Sequence, residues 1–163
     1  MKSLFSLLLL ILPFISFAQD LEESEVPKVV MEKFKKSYTM NDEVDWKKRG
    51  ENYVAEMDVN EKEVNITYDT KGNLIQKETE LEESEVPKPI LKYFNSKYII
   101  KKEGDKVSNN EMTKKIILES LDAYKITDGQ GNITYKIDAI TSDLLFDSKG
   151  SFLKEIEKVN IDE

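Results

Sequence analysis

Apolar residues are spaced in two ways along the chain, and the same succession of spacings occurs twice. Val30, Met31, Phe34 and Tyr38 fall at i, i+1, i+4 and i+8, the stripe of a helix with one face in a core. Ile90, Leu91, Phe94 and Tyr98 stand in the same arrangement 60 positions later. Each stripe follows an identical octapeptide, Leu21-Glu22-Glu23-Ser24-Glu25-Val26-Pro27-Lys28 and Leu81-Glu82-Glu83-Ser84-Glu85-Val86-Pro87-Lys88. Ser24 and Ser84 are suited to N-capping, and Pro27 and Pro87 are tolerated in a first turn, so each stripe predicts a helix of about three turns.

After each helix the period changes to two. Val44 and Trp46 alternate with polar residues, and Lys48–Asn52 forms a turn around Gly50. Tyr53, Ala55, Met57 and Val59 alternate next, then Val64, Ile66 and Tyr68. Asp69-Thr70-Lys71-Gly72 suits a type I turn with glycine at positive φ, and Leu74-Ile75 begin a fourth strand. In the second half Ile133, Tyr135, Ile137 and Ala139 match the second strand, Leu144–Gly150 matches Ile66–Gly72, and Phe152-Leu153 matches Leu74-Ile75. The order helix, hairpin, hairpin is used twice, an α+β tandem repeat.

The offset grows between the helix and the hairpins of the second half, which places an insertion at Ile99–Lys115. Its polar, Lys- and Asn-rich sequence predicts a loop, with a short helix from Asn110 as the alternative. Ile116–Ile126 is read as a strand taking the place of Val44–Lys47, ahead of a glycine turn at Asp128–Asn132. The chain divides into residues 1–19, a first repeat at 20–80 and a second at 81–163. A lone core is marginal at the size of one repeat, so the halves are expected to pack together or to extend one sheet.

The first segment is a secretory signal by pattern. Lys2 precedes an apolar run from Leu4 to Ile15, and Ser16-Phe17-Ala18 supplies the small residues of a cleavage site near Ala18 or Gln19. The run is shorter than the roughly 20 apolar residues a bilayer span needs, and no later segment is apolar enough. A periplasmic or secreted protein without membrane insertion is expected.

Composition then removes most chemistry. The 163 residues include no His and no Cys. That excludes histidine general bases, cysteine nucleophiles, disulfides, and the zinc, haem and iron–sulfur sites that need those ligands. The formal charge of −8 argues against nucleic acid and anionic membranes as partners. Catalytic strings are missing as well: there is no S-x-x-K, G-x-S-x-G, P-loop or G-x-G-x-x-G. Adjacent acids such as Glu22-Glu23, Glu82-Glu83 and Asp42-Glu43 fit capping and solubility better than glycoside hydrolysis. The chain is read as no enzyme, with no catalytic residue, cofactor or metal ligand.

Binding is what remains. If the helices cover one face of the sheet, the other displays Val54, Glu56, Asp58, Asn65, Thr67, Thr134, Lys136, Asp138 and Leu145. The partner-binding candidates are Glu56, Asp58, Thr67, Lys136, Asp138 and Leu145. Leu145 is the apolar member of a polar face, placed there by its register with Thr67, and is the candidate anchor. The face is acidic overall, which favours a basic partner. Three turns, Asp69–Gly72, Asp128–Asn132 and Asp147–Gly150, resemble fragments of calcium loops but offer one carboxylate each, so plain turns are favoured. Trp46 is assigned to the core. The functional expectation is a non-catalytic module binding a protein or peptide through the open sheet face. The alternative is an envelope protein binding a small ligand or a divalent cation.

A secretory signal followed by two copies of Ser-x-Val-Pro, a short helix, a Trp- or Tyr-bearing hairpin and an aromatic-Asp-x-Lys-Gly turn resembles the PepSY-like, β-lactamase-inhibitor-protein-like secreted proteins of Bacteroidetes-type bacteria. The resemblance covers nearly the whole chain after the signal. It implies one helix packed on a four-stranded antiparallel meander in each repeat, a periplasmic or extracellular location, and binding or inhibition of another protein. It supplies no catalytic residues for this sequence.

Overall fold

A computed structural model describes residues 18–38, 43–100, 115–117, 121–139 and 141–158. The signal segment up to residue 17 and residues 101–114 of the insertion lie outside the described residues. The first half contains strand β1 (Ala18–Leu21), helix α1 (Lys28–Ser37) and strands β2 (Asp45–Arg49), β3 (Asn52–Val59), β4 (Lys62–Tyr68) and β5 (Leu74–Leu81). The second contains α2 (Lys88–Lys97), β6 (Tyr98–Ile100), β7 (Lys115–Ile117), β8 (Asp122–Asp128), β9 (Ile133–Ala139), β10 (Ser142–Asp147) and β11 (Phe152–Glu157).

Nine strands form one antiparallel sheet in the order β1-β2-β3-β4-β5-β8-β9-β10-β11. β5 joins the halves, pairing with β4 on one edge and β8 on the other. The halves thus extend one sheet, with β2–β5 contributed by the first, β8–β11 by the second, and β1 as an added edge strand. β1 escapes sequence reasoning because its Ala-Gln-Asp-Leu carries no alternation. It pairs with β2 through Leu21 opposite Trp46, and β5 repeats this at its end, with Leu81 opposite Ala123.

Two core clusters lie side by side under the helices. Val30, Met31 and Phe34 of α1 pack on Trp46, Ala55, Met57, Val64, Ile66 and Tyr68. Ile90 and Phe94 of α2, with Tyr98, pack on Ala123, Ile137, Ala139, Leu144 and Phe146. Trp46 meets Phe34 edge-on at 5.2 Å. Each pleat therefore sends its apolar set to the helix side and leaves the alternate positions on the opposite face.

The octapeptide works differently from the expected serine cap. Residues 23–25 and 83–85 form a single 3-10 turn, closed by the backbone N–H of Glu22 or Glu82 donating to the carboxylate of Glu25 or Glu85 at 2.9 Å. Proline fixes its own φ and holds the preceding valine extended, so the α-helix starts only at Lys28 or Lys88. The carbonyls of Pro27 and Pro87 accept the first helical hydrogen bonds.

The insertion is also corrected at its ends. Instead of a loop over all of Ile99–Lys115, Tyr98–Ile100 pairs in parallel with Lys115–Ile117 in a separate two-stranded ribbon. Ile116 and Ile117 accordingly leave the strand expected at Ile116–Ile126, and the main-sheet strand is Asp122–Asp128.

Candidate functional site

The face opposite the helices includes three cross-strand rows that cross the seam, and a fourth in the second half made of Asp122, Asp138, Asp143 and Ile156. Lys47, Val54, Thr67, Gln76 and Asp128 form the first. Asp45, Glu56, Asn65, Glu78, Ile126, Thr134 and Asp147 form the second. Glu80, Tyr124, Lys136, Leu145 and Lys154 run across the third, with Asp58 and Glu63 at its first-half end. Nine strands at about 4.8 Å make a surface some 38 Å wide.

All six residues expected on this face occupy it by register. Glu56 and Asp58 lie on β3, Thr67 on β4, Lys136 and Asp138 on β9, and Leu145 on β10. Four strand spacings, about 19 Å, separate β3 from β9, so the residues share one surface rather than one pocket. Val54 is the correction: it points to the open face but is only 1% exposed, so it packs beneath its neighbours instead of being displayed. Leu145 is half-buried between Lys136 and Lys154.

Charge pairing fixes several of these side chains. Glu56 accepts hydrogen bonds from Lys47 at 2.5 Å and from Arg49 at 2.8 Å. Lys136 is ion-paired with Glu78 on β5, reaching across β8, and lies 4.3 Å from the centre of the Tyr124 ring. Asp138 is ion-paired with Lys158. The bond to Glu56 raises the Lys47 pKa above the ordinary ammonium value. Burial pushes the Tyr124 phenol well above its usual value, and the carboxylates of Glu63, Asp122, Glu80 and Asp138 add to the shift.

Sequence reasoning missed the contribution of β5 and β8. Glu78, Glu80, Tyr124 and Ile126 join the face there by register across the seam, which no pattern in the sequence announces. Glu43, Asp45, Glu56, Asp58 and Glu63 border a groove of about 290 Å³ in the first half, and Asp122, Asp138 and Asp143 stand side by side in the second. Tyr124, Ile126 and Leu145 place apolar surface toward the second.

The three aspartate turns spend their carboxylates on the backbone. Asp69 Oδ1 accepts the N–H groups of Lys71 and Asn73, each at 2.8 Å, and Asp128 does the same for Gln130 and Asn132. Asp147 takes Lys149 and Ser151. The side chains of Asn73 and Asn132 also donate to Asp69 and Asp128, and all three carboxyl pKa values are lowered by these hydrogen bonds.

A doubled unit of one helix on an antiparallel sheet, with both helices on one side and the other side open, defines the class: a helix-backed sheet protein with no enclosed active-site cleft among the described residues. The sequence profile of the PepSY-like family, described as beta-lactamase-inhibitor-like, matches residues 16–76 and again residues 75–154, and the chain belongs to that family. No curated protein matches it by sequence. Solved structures share the fold. A protein from Bacteroides eggerthii described as periplasmic superposes with a TM-score of 0.61 at 17% identity, over 81% of this chain and 88% of that one. A DUF2874 family protein from Bacteroides uniformis gives 0.59 at 17% identity, over 80% and 88%. A BLIP-like protein from Bacteroides fragilis gives 0.53 at 21% identity, over 84% and 89%. No helix among the described residues is long and apolar enough to cross a membrane.

Proposed function

We propose that the protein is a non-catalytic, inhibitor-like binding module of the periplasm or the secreted fraction, and that it grips a protein or peptide partner with the open face of its sheet. The observation that carries this reading is the one-sided placement of both helices. It leaves a continuous surface about 38 Å wide whose ion pairs already hold their side chains in place. Fixed side chains lose less freedom on binding, which favours affinity. The partner is one that brings cations to Asp58 and Glu63, beside the already paired Glu56, and an apolar side chain to the Ile126–Leu145 side. The family's inhibitor-like description and the periplasmic description of a structural neighbour support the same reading. Cleavage after Ala18 or Gln19 on export would take one or two residues from β1 and leave Leu21 opposite Trp46.

Affinity capture from the source organism's envelope and secreted fractions, with the parent chain and Leu145→Glu in parallel, tests the proposal. A protein retained by the parent and lost by the folded variant is the expected result. Equal retention by both, or no retention by either, would remove the support for the open face.

A further inference from the structure

The two halves differ at one packed cluster in a way that leaves a vacancy. In the second half Tyr93 on α2 stacks on Phe152 at 4.7 Å with the rings 9° from parallel, and meets Phe146 edge-on at 5.4 Å. Phe146 and Phe152 complete the triangle at 5.8 Å. The repeat spacings assign each ring a counterpart in the first half: Lys33 for Tyr93, Tyr68 for Phe146 and Leu74 for Phe152. One ring of three remains. Where the second half packs its own aromatic trio, the first has a cavity of about 400 Å³ lined by Lys33, Tyr38, Tyr68 and Leu74. It is open on the helix side at the seam between the halves, next to the Gly129 turn.

We infer that this cavity binds a single-ring aromatic carboxylate, the ring taking the place that the Tyr93–Phe152 stack fills in the second half and the carboxylate meeting Lys33. The volume suffices, since an apolar cavity of about 150 Å³ already holds a benzene ring. The wall supplies both an aromatic and an aliphatic surface in Tyr68 and Leu74. The sign of the charge follows from the same substitution that opened the space. Lys33 brings an ammonium where the second half has a phenol, and no carboxylate among the described residues is paired with it. This site is separate from the open sheet face and does not depend on its role.

The test is an amide-resolved NMR titration of the exported chain with 3-phenylpropionate, its neutral amide, and 2-phenylethylamine. Saturable shifts at Gly72, Leu74 and Gly129 with a Kd below about 1 mM are expected for the acid, within reach of so small a ligand. The neutral amide should bind at least about five-fold more weakly, the amine more weakly still, and Lys33→Met should abolish the difference between acid and amide. The double variant Lys33→Tyr/Leu74→Phe rebuilds the second half's stack. It should fold with an equal or higher Tm and lose the acid by about ten-fold or more. The inference is overturned if the acid gives no saturable shift at these amides, if the neutral amide binds as tightly, or if the folded double variant still binds the acid as the parent does.

Discussion

Because β5 belongs to both halves, damage to one core should unfold the other. Phe94 lies in the second core, 1% exposed and stacked on Tyr98 at 4.9 Å. Trp46, the only tryptophan, lies in the first core at 4% exposure and reports on that half alone. Truncating a buried phenylalanine to alanine costs about 3–5 kcal/mol, the lost transfer energy plus the cavity left behind. With a urea dependence of about 2 kcal/mol per molar for a chain of this size, Phe94→Ala should lower the midpoint by roughly 2 M. If the shared strand makes unfolding a single transition, the whole of that shift appears in Trp46 fluorescence and coincides with the loss of far-ultraviolet circular dichroism. Phe34→Ala, made in the reporter's own core, should give a shift of similar size. A Trp46 midpoint left in place by Phe94→Ala, with dichroism lost in two steps, would refute the argument and show that β5 pairs with both neighbours without coupling them.

Other outcomes follow from single contacts. The Lys136–Glu78 pair has side chains only 19% and 13% exposed, so a double-mutant cycle with Lys136→Met and Glu78→Gln in urea unfolding should return a coupling of about 1–2 kcal/mol, above the usual surface pair; additivity within 0.5 kcal/mol would deny it. A Cβ on Gly129 would stand 2.1 Å from the Leu74 carbonyl oxygen, whereas Gly131, at φ +87°, faces open space. Gly129→Ala should therefore cost more thermal stability than Gly131→Asn, and the reverse order would contradict the seam packing. The carboxyls of Asp69, Asp128 and Asp147 have folded pKa values below the ordinary carboxylate value. Their contribution is therefore complete above that value and disappears as the pH falls through the lowered ones. Asp147→Ala should flatten the acid limb of a Tm-against-pH curve, and an unchanged limb would count against the turn assignment.

The parts of the fold that sequence revealed are those where one residue type has one physical use. Asp and Gly at the ends of three turns accept backbone N–H groups and supply positive φ, and Gly72, Gly131 and Gly150 all do so. The helix stripes were legible because Val30, Phe34, Ile90 and Phe94 are fully buried. Failure came where context decides. Glu25 and Glu85, rather than the serines beside them, close the turn before each helix, because the proline delays the α-helix past serine's reach. β5 was legible only at its start, since it runs along the seam between the two cores. Its helix-side positions, Lys77 and Thr79, belong to neither core cluster and carry no apolar period. The same blind spot hid Glu78 and Glu80, and with them half of the central charge pattern of the open face.

The duplication itself argues for an oriented partner. Positions that build the scaffold keep their chemistry between halves: the octapeptide is identical, Tyr53 matches Tyr135, and the aspartate turns close with the same hydrogen bonds. Positions on the open face keep it less: Glu56 is answered by another acid, Asp138, but its neighbours change. Val54 is answered by Lys136, Thr67 by Leu145 and Asn65 by Asp143. On the proposed binding role, a twofold-symmetric partner would be served by equal halves, whereas these exchanges put a cation, an aliphatic side chain and a carboxylate where the first half has Val54, Thr67 and Asn65, and so make the two ends of the face chemically distinct. Like-charge contacts in the reversed orientation oppose binding. On that role the exchanged surface residues would carry the direction, while the repeated frame holds them in register.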